Sequence, residues 1–592
     1  MASLNTGFWA DHFTYLIDHI EAYLSIYPDW EERMLFDMRL PYFFSPASVK
    51  PRSRKYVLSL SYHGTGEHIR QLEATEQQDS SKIEYLSQFI SNATGWYEID
   101  ANWYHTKNGD MFKSSPYEKL LVMGAVKFAT RDAFGLGIEY EGGRPGWNDA
   151  NNGLVGMLGS GMPETFELLV LLRFLLDTIA VHRRSIAVPV EAYEMIQAIE
   201  EALDDLIQIQ TTEGHTHLDP DSGLDVPRSY FEYWDAVATA REEYREKTKL
   251  TFDGQTKEMS VDVVVPMLQR WISEIEEGIQ RAMILGSRGD GDEGIFGIIP
   301  TYFSFNVTKW RRTGDHDSQG HALVEARSMR VNRFPLFLEG PVRMMKTVHG
   351  PAAFDIYEKV KHSPLRDSEL NMYKISASLK GQSMDMGREM AFSPGWLENE
   401  SVWVHMSYKF YLELLRQGFF ESFFEEMRGG GMLPFMDPSE YKRPLMECSS
   451  FIASSAFEDP ETRGRGFLAR LSGSTAEYLS MWRLMMIGPQ PFFVNPTTGQ
   501  LRMQLLPALP RWLFYEEGDT PQIKFKLFSS IDVTYHHLRG NANLFRVPPS
   551  RYVVGLRDGS TFNVVGPSIP TELAEKIRRV VFVASINVYF EP

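Results

Sequence analysis

The sequence predicts a mainly α-helical protein that ends in a β-rich module. Over roughly the first 480 residues, apolar side chains recur at helical spacing, and loops rich in Gly, Pro and Asp separate the helical segments. From about Pro491 the pattern changes to short runs of β-branched and aromatic residues. We therefore expect a helical catalytic domain over residues 1–490 and a β-rich C-terminal module over residues 491–592.

The helical segments follow one another along the chain. The first shows apolar residues at helical spacing and a proline after its end: Phe13, Leu16, Ile17, Ile20, Tyr23 and then Pro28. Similar patterns predict helices over 117–134, 164–181, 192–210, 229–248, 266–285, 402–420 and 475–486. Helix after helix with polar motifs in the loops suggests an α/α barrel, although periodicity alone does not separate it from other large α-folds.

The C-terminal strands are predicted from composition and turn signals. Turns such as Asp558-Gly559 separate segments that are short and rich in Val, Ile, Phe and Tyr. These segments cover 492–494, 501–506, 523–528, 531–535, 552–556 and 580–589.

Charge and composition limit the partners of the chain. Of its 592 residues, 43% are hydrophobic and 23% charged, which is typical of a globular protein. The formal net charge of −18 argues against nucleic acid and against anionic membrane surfaces as partners. The 12 Trp and 26 Tyr residues are enough to line a carbohydrate groove, and equally suit a large aromatic core.

The sequence favours a cytoplasmic location. Cys448 is the single cysteine, so no intrachain disulfide forms. Residues 1–11 show no basic region followed by an apolar run of the kind that makes a signal peptide. The most apolar helical stretch, 168–180, contains Arg173 and Asp177 and is too short to span a membrane.

The most informative segment runs from Arg144 to Gly153 and reads Arg-Pro-Gly-Trp-Asn-Asp-Ala-Asn-Asn-Gly. Its Trp147 offers a flat face for a sugar ring, and Asn148 both donates and accepts hydrogen bonds. Burial beside an indole would favour a protonated Asp149, which is what a general acid for glycosidic-bond cleavage requires. The alternative is a loop with a buried tryptophan, in which Asp149 caps the next helix.

This segment resembles the Trp-Asn-Asp-Gly motif of the cellobiose phosphorylase family, glycoside hydrolase family 94, with Ala150 in place of the glycine. In that family the aspartate is the general acid of an inverting phosphorolysis, which implies the same role for Asp149. The resemblance also implies an (α/α)6 barrel, and sugar contacts by Trp147, Asn148 and Arg144. Where the sequence departs from the cellobiose phosphorylase motifs, as at Ala150, it looks more like the related β-1,2-oligoglucan phosphorylases.

Two further segments resemble the family in the same order along the chain. The stretch from Glu398 and Asn399 to His405 looks like a Glu-Asn-Gly-Gly…His motif, with Glu400 and Ser401 replacing its glycines. The resemblance implies that Glu398 and Asn399 bind the substrate and that His405 binds phosphate.

The other segment, Ser472-Gly473-Ser474-Thr475-Ala476-Glu477, falls where the family has a Thr-Gly-Thr-Ala-Gly-Trp loop. By resemblance, Ser472 and Gly473 contact phosphate, and Ser474 extends the run at the start of a predicted helix, where backbone amides suit an anion. Alternatively, Ser474 is a helix N-cap and Glu477 completes a capping box.

Several carboxylates keep hydrolysis open as an alternative. An inverting hydrolase needs a second carboxylate to activate water, whereas phosphate attacks without a base. Glu398, Glu400 and Glu477 are candidate bases, and so is Glu389. Its neighbour Arg388 is a candidate anion ligand, although a surface ion pair is the simpler explanation of Arg388 and Glu389.

Two segments superficially resemble metal sites. The loop between Gly286 and Gly297 contains Asp-Gly-Asp-Glu-Gly but lacks the ligand spacing of a calcium loop, and the His and Asp residues of 313–321 match no recognised site. We expect no metal and no cofactor, with inorganic phosphate as a co-substrate.

The sequence thus predicts inverting cleavage of a β-glucosidic bond in a glucan or oligosaccharide, by phosphorolysis to a sugar 1-phosphate. The alternatives are an inverting hydrolase and a glycan-binding protein without catalysis. Assembly into a homo-oligomer stays open.

Overall fold

The computed structural model describes residues 10–60, 66–213, 225–287, 297–432, 439, 449–469, 472–517 and 520–592. Within these ranges the α-helices, named α1 to α13 in chain order, are Thr14–Leu24, Ser80–Ser87, Pro116–Phe128, Met162–His182, Val190–Glu213, Arg228–Lys247, Val261–Gly286, Glu339–Met344, Pro351–Lys361, Val404–Gln417, Phe420–Glu426, Ser472–Met486 and Thr571–Arg578.

Strands occur along the whole described chain. Named β1 to β27, they are Leu40–Pro41, Ser48–Val49, Tyr56–Leu60, Glu67–Gln71, Thr75–Glu76, Lys113–Ser114, Ile138–Glu139, Ser160–Gly161, Ile186–Pro189, Thr256–Met259, Tyr302–His316, Ala322–Arg333, Arg366–Asp367, Met372–Tyr373, Val402–Trp403, Ser449–Ile452, Gly466–Ala469, Phe492–Val494, Leu501–Met503, Ala508–Leu509, Tyr515–Glu517, Thr520–Leu527, Ile531–His537, Leu544–Phe545, Arg551–Leu556, Thr561–Val565 and Val583–Phe590.

The predicted mainly α-helical class, an (α/α)6 barrel with a β-rich module, is wrong. The protein is 41% helical and 25% strand, and sheets lie in both halves of the chain. The long hairpin β11–β12 falls inside the region that the sequence predicts to be helical. Phe305 and Val307 are buried while Asn306 and Thr308 are exposed, so this stretch alternates with the period of a strand. Beyond Val307 both faces of β11 are exposed, and no apolar periodicity marks it.

Two six-stranded sheets dominate the β-structure. The first is antiparallel throughout and has the order β4-β3-β12-β11-β8-β7. The second has the order β21-β22-β23-β27-β25-β26, and its central pair β23–β27 is parallel. The strands predicted at 492–494, 531–535 and 552–556 are confirmed at β18, β23 and β25.

Apolar side chains form two large clusters. One joins α3, α4 and α7 to the β11–β12 hairpin, and within it the rings of Phe128 and Trp271 stack with centroids 4.9 Å apart. The other joins α10 and α12 to the C-terminal sheet, with Phe410, Met481 and Val588 among its buried members. Each helix therefore buries an apolar face, as the sequence periodicity predicts.

The segment 140–159, which we call the tryptophan loop, leaves the first sheet at β7 and returns at β8. The base of this loop is held by Asp132, a fully buried carboxyl. It accepts hydrogen bonds from the backbone N–H of Gly137 at 2.7 Å, from those of Phe134 and Leu136, and from the hydroxyl of Ser160 at 2.7 Å. One side chain thus closes both ends of the loop.

The far part of the tryptophan loop fits against the turn 384–391. Gly153 donates its N–H to the carbonyl of Met386 at 2.9 Å. A side chain at Gly153 would collide with the backbone of Asp385, so the close approach of the two segments requires glycine here. The contact sets Asp149 opposite Arg388.

We predict that Asp132→Asn lowers the free energy of unfolding by about 1–3 kcal/mol, because an amide nitrogen would face hydrogen-bond donors that now meet a carboxyl oxygen. Chemical denaturation measures the change. Ser160→Ala, which removes one of the four donors, is the matched control and should cost less. Equal stability of Asp132→Asn and the parent protein would show that this carboxyl does not hold the loop.

Candidate active site

A hydrogen bond joins the tryptophan loop to α10. The indole Nε1 of Trp147 donates to Nδ1 of His405 at 2.9 Å, and the two rings meet edge to face with centroids 5.4 Å apart. Because Nδ1 accepts, the ring proton resides on Nε2. Burial lowers the pKa of His405, which favours this neutral form. The imidazole therefore has a fixed orientation and a fixed tautomer.

The other ring nitrogen of His405 faces a carboxylate on α12. Its Nε2 lies 3.5 Å from Oε1 of Glu477, and Nζ of Lys409 lies 2.5 Å from the same oxygen. Burial alone would raise the pKa of Glu477, but the Lys409 ammonium and the His405 ring outweigh it and hold that pKa well below its usual range. Glu477 is thus an ionised carboxylate whose Oε1 contacts both the lysine and the imidazole.

The Ser-Gly-Ser-Thr segment reaches the same place through Gly473. A side chain at Gly473 would overlap the ring of His405, so the backbone of α12 lies directly on the imidazole. Helix α12 begins at Ser472, so Ser474 lies inside the helix, where it is buried, rather than at its N-cap. The side chain of Ser472 lies outside the described residues.

Two carboxyl groups share one guanidinium beside this cluster. Arg388 donates through one terminal nitrogen to Oδ1 of Asp149 at 2.6 Å, and the same nitrogen lies 3.6 Å from Oε1 of Glu398. The side chains of Arg388 and Asp149 are 44% and 37% exposed, whereas that of Glu398 is 10% exposed. The next helix begins at Met162, so Asp149 is not a helix cap.

Glu398 has unused hydrogen-bonding capacity. Its Oε2 is buried and accepts no hydrogen bond within the described residues. Burial raises the pKa of Glu398, and the Asp149 charge adds to this, while Arg388 opposes it. Its neighbour Asn399 donates from its amide to the carbonyl of Phe392 at 2.8 Å, and so acts on the backbone of its own loop.

A buried acid supports Asn148 from behind. Glu389 is fully buried, and Nδ2 of Asn148 lies 3.4 Å from its Oε2. The amide of Asn151 also contacts this carboxyl. Burial raises the pKa of Glu389 to about 8, so the group carries a proton at neutral pH. The amide of Asn148 therefore makes its hydrogen bonds inside the protein. Its Oδ1 also accepts a hydrogen bond from the backbone N–H of Ala150.

Glu400 is turned away from this group. Its carboxylate pairs with Nζ of Lys374 at 3.1 Å, and its backbone takes a left-handed conformation with φ of 55°. Its N–H donates to the hydroxyl of Ser376. The structure thus gives both extra acidic residues of the sequence motifs, Glu400 and Glu477, a lysine partner.

Arg144 lies in a different setting from Asp149. It lines a cavity of about 960 Å³ together with Phe13, Tyr104 and Tyr140, and the described lining comes from residues before position 250. The described lining of the cavity next to Arg144 thus includes no residue of α10 or α12.

The two segments suspected of metal binding have separate outcomes. The acidic loop between Gly286 and Gly297 lies outside the described residues. In the other, Nδ1 of His321 pairs with Asp317 at 2.9 Å. Among the residues that the structure describes, no group of three or more His, Cys, Asp or Glu side chains is arranged to hold a metal. None of the described helices has the length and apolarity for a membrane crossing.

The structure brings the three motifs together around Trp147 and His405, and it adds partners that the sequence analysis did not identify. The sequence analysis does not identify Lys409. Its position four residues after His405, on the same face of a predicted helix, is the signal that could have placed it in the site. Lys374 had no such signal, because it is remote from Glu400 along the chain.

Comparison with known proteins does not identify a family for this chain. No family model and no curated protein matches the chain. Two solved structures from Thermus thermophilus are similar at 10% identity: an uncharacterized conserved protein with a TM-score of 0.21, and a GH63 mannosylglycerate hydrolase in complex with glucose with a TM-score of 0.20. In each case 68% of this chain and 98% of the other chain are covered. TM-scores this low establish no shared fold.

We predict that Glu389 makes stability depend on pH. Its pKa is about 8 in the folded protein and near 4.5 when exposed, so the folded state binds the extra proton between these values. The free energy of unfolding should therefore fall as pH rises from about 5 to 8, by up to about 1.4 kcal/mol for each pH unit.

Glu389→Gln cannot ionise and should lack this part of the decline, as measured by denaturation at a series of pH values. Glu572→Gln alters an exposed glutamate of α13 and should retain it. Parallel curves for the parent protein and Glu389→Gln would contradict the assignment.

Proposed function

We propose that this protein cleaves a glycosidic bond in a glucan or oligosaccharide, with Asp149 as the general acid. The observation that carries the proposal is that two carboxyl groups, Asp149 and Glu398, share the guanidinium of the half-exposed Arg388 side chain, with Asp149 two residues after Trp147 in the chain. Cleavage of an acetal needs a carboxyl that protonates the departing oxygen and charged groups that stabilise the developing cation. This cluster has both and opens to solvent at Asp149.

Trp147 is the proposed platform for a sugar ring. Its Nε1 is used by His405, which fixes the plane of the indole, and the ring is only partly buried. Asn148 is buried and bonded to Glu389, so we assign it the positioning of Asp149 rather than direct contact with the substrate. A β-linked glucan, with β-1,2 linkages first, is the substrate that the motif resemblance suggests.

Phosphate is the proposed nucleophile. Glu400 and Glu477, two of the candidate bases, are each neutralised by a lysine. Oδ1 of Asp149 and Oε1 of Glu398 lie 2.6 and 3.6 Å from the same nitrogen, so their separation stays below the roughly 6.5–9.5 Å typical of inverting hydrolases. A tetrahedral anion, by contrast, matches the two-pronged donor group of Arg388.

The chemical step balances as follows. A phosphate oxygen forms a bond to the anomeric carbon while the glycosidic carbon–oxygen bond breaks. The departing oxygen takes the proton of Asp149, which gives a free hydroxyl on the released saccharide. The hydrogen phosphate proton restores the acid, and a β-linkage yields an α-sugar 1-phosphate.

Hydrolysis is a second candidate because of one observation: Oε2 of Glu398 is buried without a hydrogen-bond partner among the described residues. Burial also raises the pKa of Glu398, which makes its carboxylate a better base. In that case water replaces phosphate, and Glu398 takes its proton as the bond forms.

We predict that Asp149→Asn lowers turnover by roughly 10²–10⁴-fold while leaving glucan binding intact, because the amide keeps the shape but donates no acidic proton. Assays on a panel of β-glucans, with product analysis, measure this change. Asp355→Asn, another aspartate that pairs with a cation, lies on α9 and should keep full activity. Near-normal turnover in Asp149→Asn would remove this residue from the mechanism.

We further predict that activity saturates with phosphate and that Glu398→Gln, which removes a stabilising charge but not the nucleophile, slows cleavage while leaving it dependent on phosphate. The measurement compares products with and without phosphate for the parent protein and the variant. Undiminished release of free sugars without phosphate, lost in Glu398→Gln, would favour the hydrolase. Clear glucan binding with no product under either condition would indicate a binding protein.

A further inference from the structure

The cavity of about 960 Å³ contains two lysines that have no carboxylate partner. Lys127 on α3 donates to the carbonyl of Ala10 at 3.0 Å, and Lys82 on α2 donates to the carbonyls of Ser45 and Ala47, each at 3.1 Å. In the part of the chain that the structure describes, neither ammonium forms an ion pair. Because an ammonium has three N–H donors, two donors of Lys127 and one of Lys82 lack an acceptor there.

The two lysines lie where a positive charge is costly. Lys82 is 6% exposed and is the third residue of α2, where the positive end of the helix dipole disfavours a cation. Asp79, which caps this helix, pairs with Lys249 at 2.8 Å. Residues 1–9 contain no acidic side chain. Burial lowers the pKa of Lys82 and of Lys127 to about 8, so both groups still carry a charge at neutral pH. Buried charges are ordinarily paired, so these two positions favour an anion from outside the chain.

The carboxylates of the same lining do not supply this anion. Glu141 pairs with Arg241 at 3.0 Å, and Glu242 pairs with Arg52 at 3.0 Å. Glu139 accepts a hydrogen bond from an indole at 2.8 Å. The other acidic residues of the described lining are exposed to solvent: Glu243 and Glu246. The acidic groups of the cavity are therefore paired or hydrated, while its two lysines are not paired.

Much of the remaining lining is apolar. Its members include aromatic and aliphatic side chains: Phe13, Leu16, Phe43, Val49, Tyr104 and Val126. The ammonium of Lys127 lies 4.7 Å from the centroid of the Phe13 ring, so charge and apolar surface adjoin each other. A ligand that fits both combines an anionic group with a body that has apolar faces and polar edges.

We infer that this cavity binds the phosphate ester of a sugar, with Lys82 and Lys127 as its anion-binding residues. A phosphate monoester carries a charge of about −1.5 to −2 at pH 7 and has three strong acceptor oxygens, which suits two ammonium groups with three unused donors. A sugar ring has apolar faces for the rest of the lining. The choice of a sugar rests on the proposed function, which forms a sugar 1-phosphate, whereas the anion site rests on the cavity alone.

The cavity is a second site rather than a part of the proposed active site. Its described lining includes Tyr140 and Arg144 of the tryptophan loop, and it includes neither Asp149 nor any residue of α10 or α12. The same loop carries Trp147 and Asp149 further along the chain. A sugar phosphate in the cavity therefore contacts the loop that bears the proposed general acid.

Glucose 1-phosphate is the probe, and inorganic phosphate and glucose are the comparisons. Calorimetric titration of the full chain measures the affinity for each. We expect glucose 1-phosphate to bind more tightly than inorganic phosphate, and glucose to bind least. Lys127→Met and Lys82→Met keep an unbranched side chain but remove the charge. Each should weaken glucose 1-phosphate binding by roughly 10- to 100-fold, because a charge-assisted hydrogen-bond donor is lost.

Lys119→Met is the matched control. Lys119 also lies on α3, is half-buried and donates to a backbone carbonyl, that of Pro41, but it is not among the described residues that line the cavity. Its replacement should leave the affinity unchanged. Circular dichroism checks the folding of each variant, and Lys127→Arg, which keeps the charge, should retain most of the affinity.

Reductive methylation with peptide mass spectrometry gives a local measurement on the parent protein, for which no variant has to fold. Glucose 1-phosphate should lower the labelling of Lys82 and Lys127 several-fold and leave that of Lys119 unchanged. Arg388→Gln alters the proposed active site and should show the same protection.

Three results would overturn the inference: no protection of either lysine by glucose 1-phosphate, equal affinity in Lys127→Met and Lys119→Met, or equal protection by glucose, which would make the cavity a site for neutral sugars. None of these measurements needs a glucan. Glucan cleavage without lysine protection would reject the cavity site alone, whereas lysine protection without glucan cleavage would reject the proposed function alone.

Discussion

The hydrogen bond between Trp147 and His405 is the contact on which the site depends. It connects residues 258 positions apart in the sequence and joins the loop of the first sheet to α10. Through the imidazole it also reaches α12, because Gly473 packs on the ring and Oε1 of Glu477 lies 3.5 Å from its Nε2. The orientation of one indole therefore sets the relative positions of three chain segments.

Only some of the charged groups of the site are exposed to solvent. Glu400 and Glu477 are each compensated by a lysine from the interior, and Glu389 avoids the cost of a buried charge by holding a proton. What remains open is the group formed by Asp149, Arg388 and, at its edge, Glu398. Reactivity is thereby confined to a few groups in a neighbourhood that contains many more.

Sequence reasoning grouped the candidate site residues better than it predicted the fold that holds them. Short motifs with fixed spacing kept their identity, so Trp147, His405 and Gly473 could be placed in one site from the sequence. The fold class was wrong partly because β11 is exposed on both faces beyond Val307, and an exposed strand shows no apolar periodicity in the sequence. The ion pairs of Arg388 with Asp149 and Glu398 could not be predicted from the sequence for another reason. Ion pairs between distant segments depend on tertiary packing, which no local pattern encodes.

Gly473 places two kinds of stability in opposition. Gly473 is the second residue of α12, and alanine is the better helix former, so optimisation of α12 by local propensity would replace this glycine. A methyl group there would displace the imidazole from its place against the backbone. A protein engineer who ranks substitutions by helix propensity would thus choose a change that disrupts the site. A weak helix former at this position marks the point where the helix backbone must make room for the imidazole of His405.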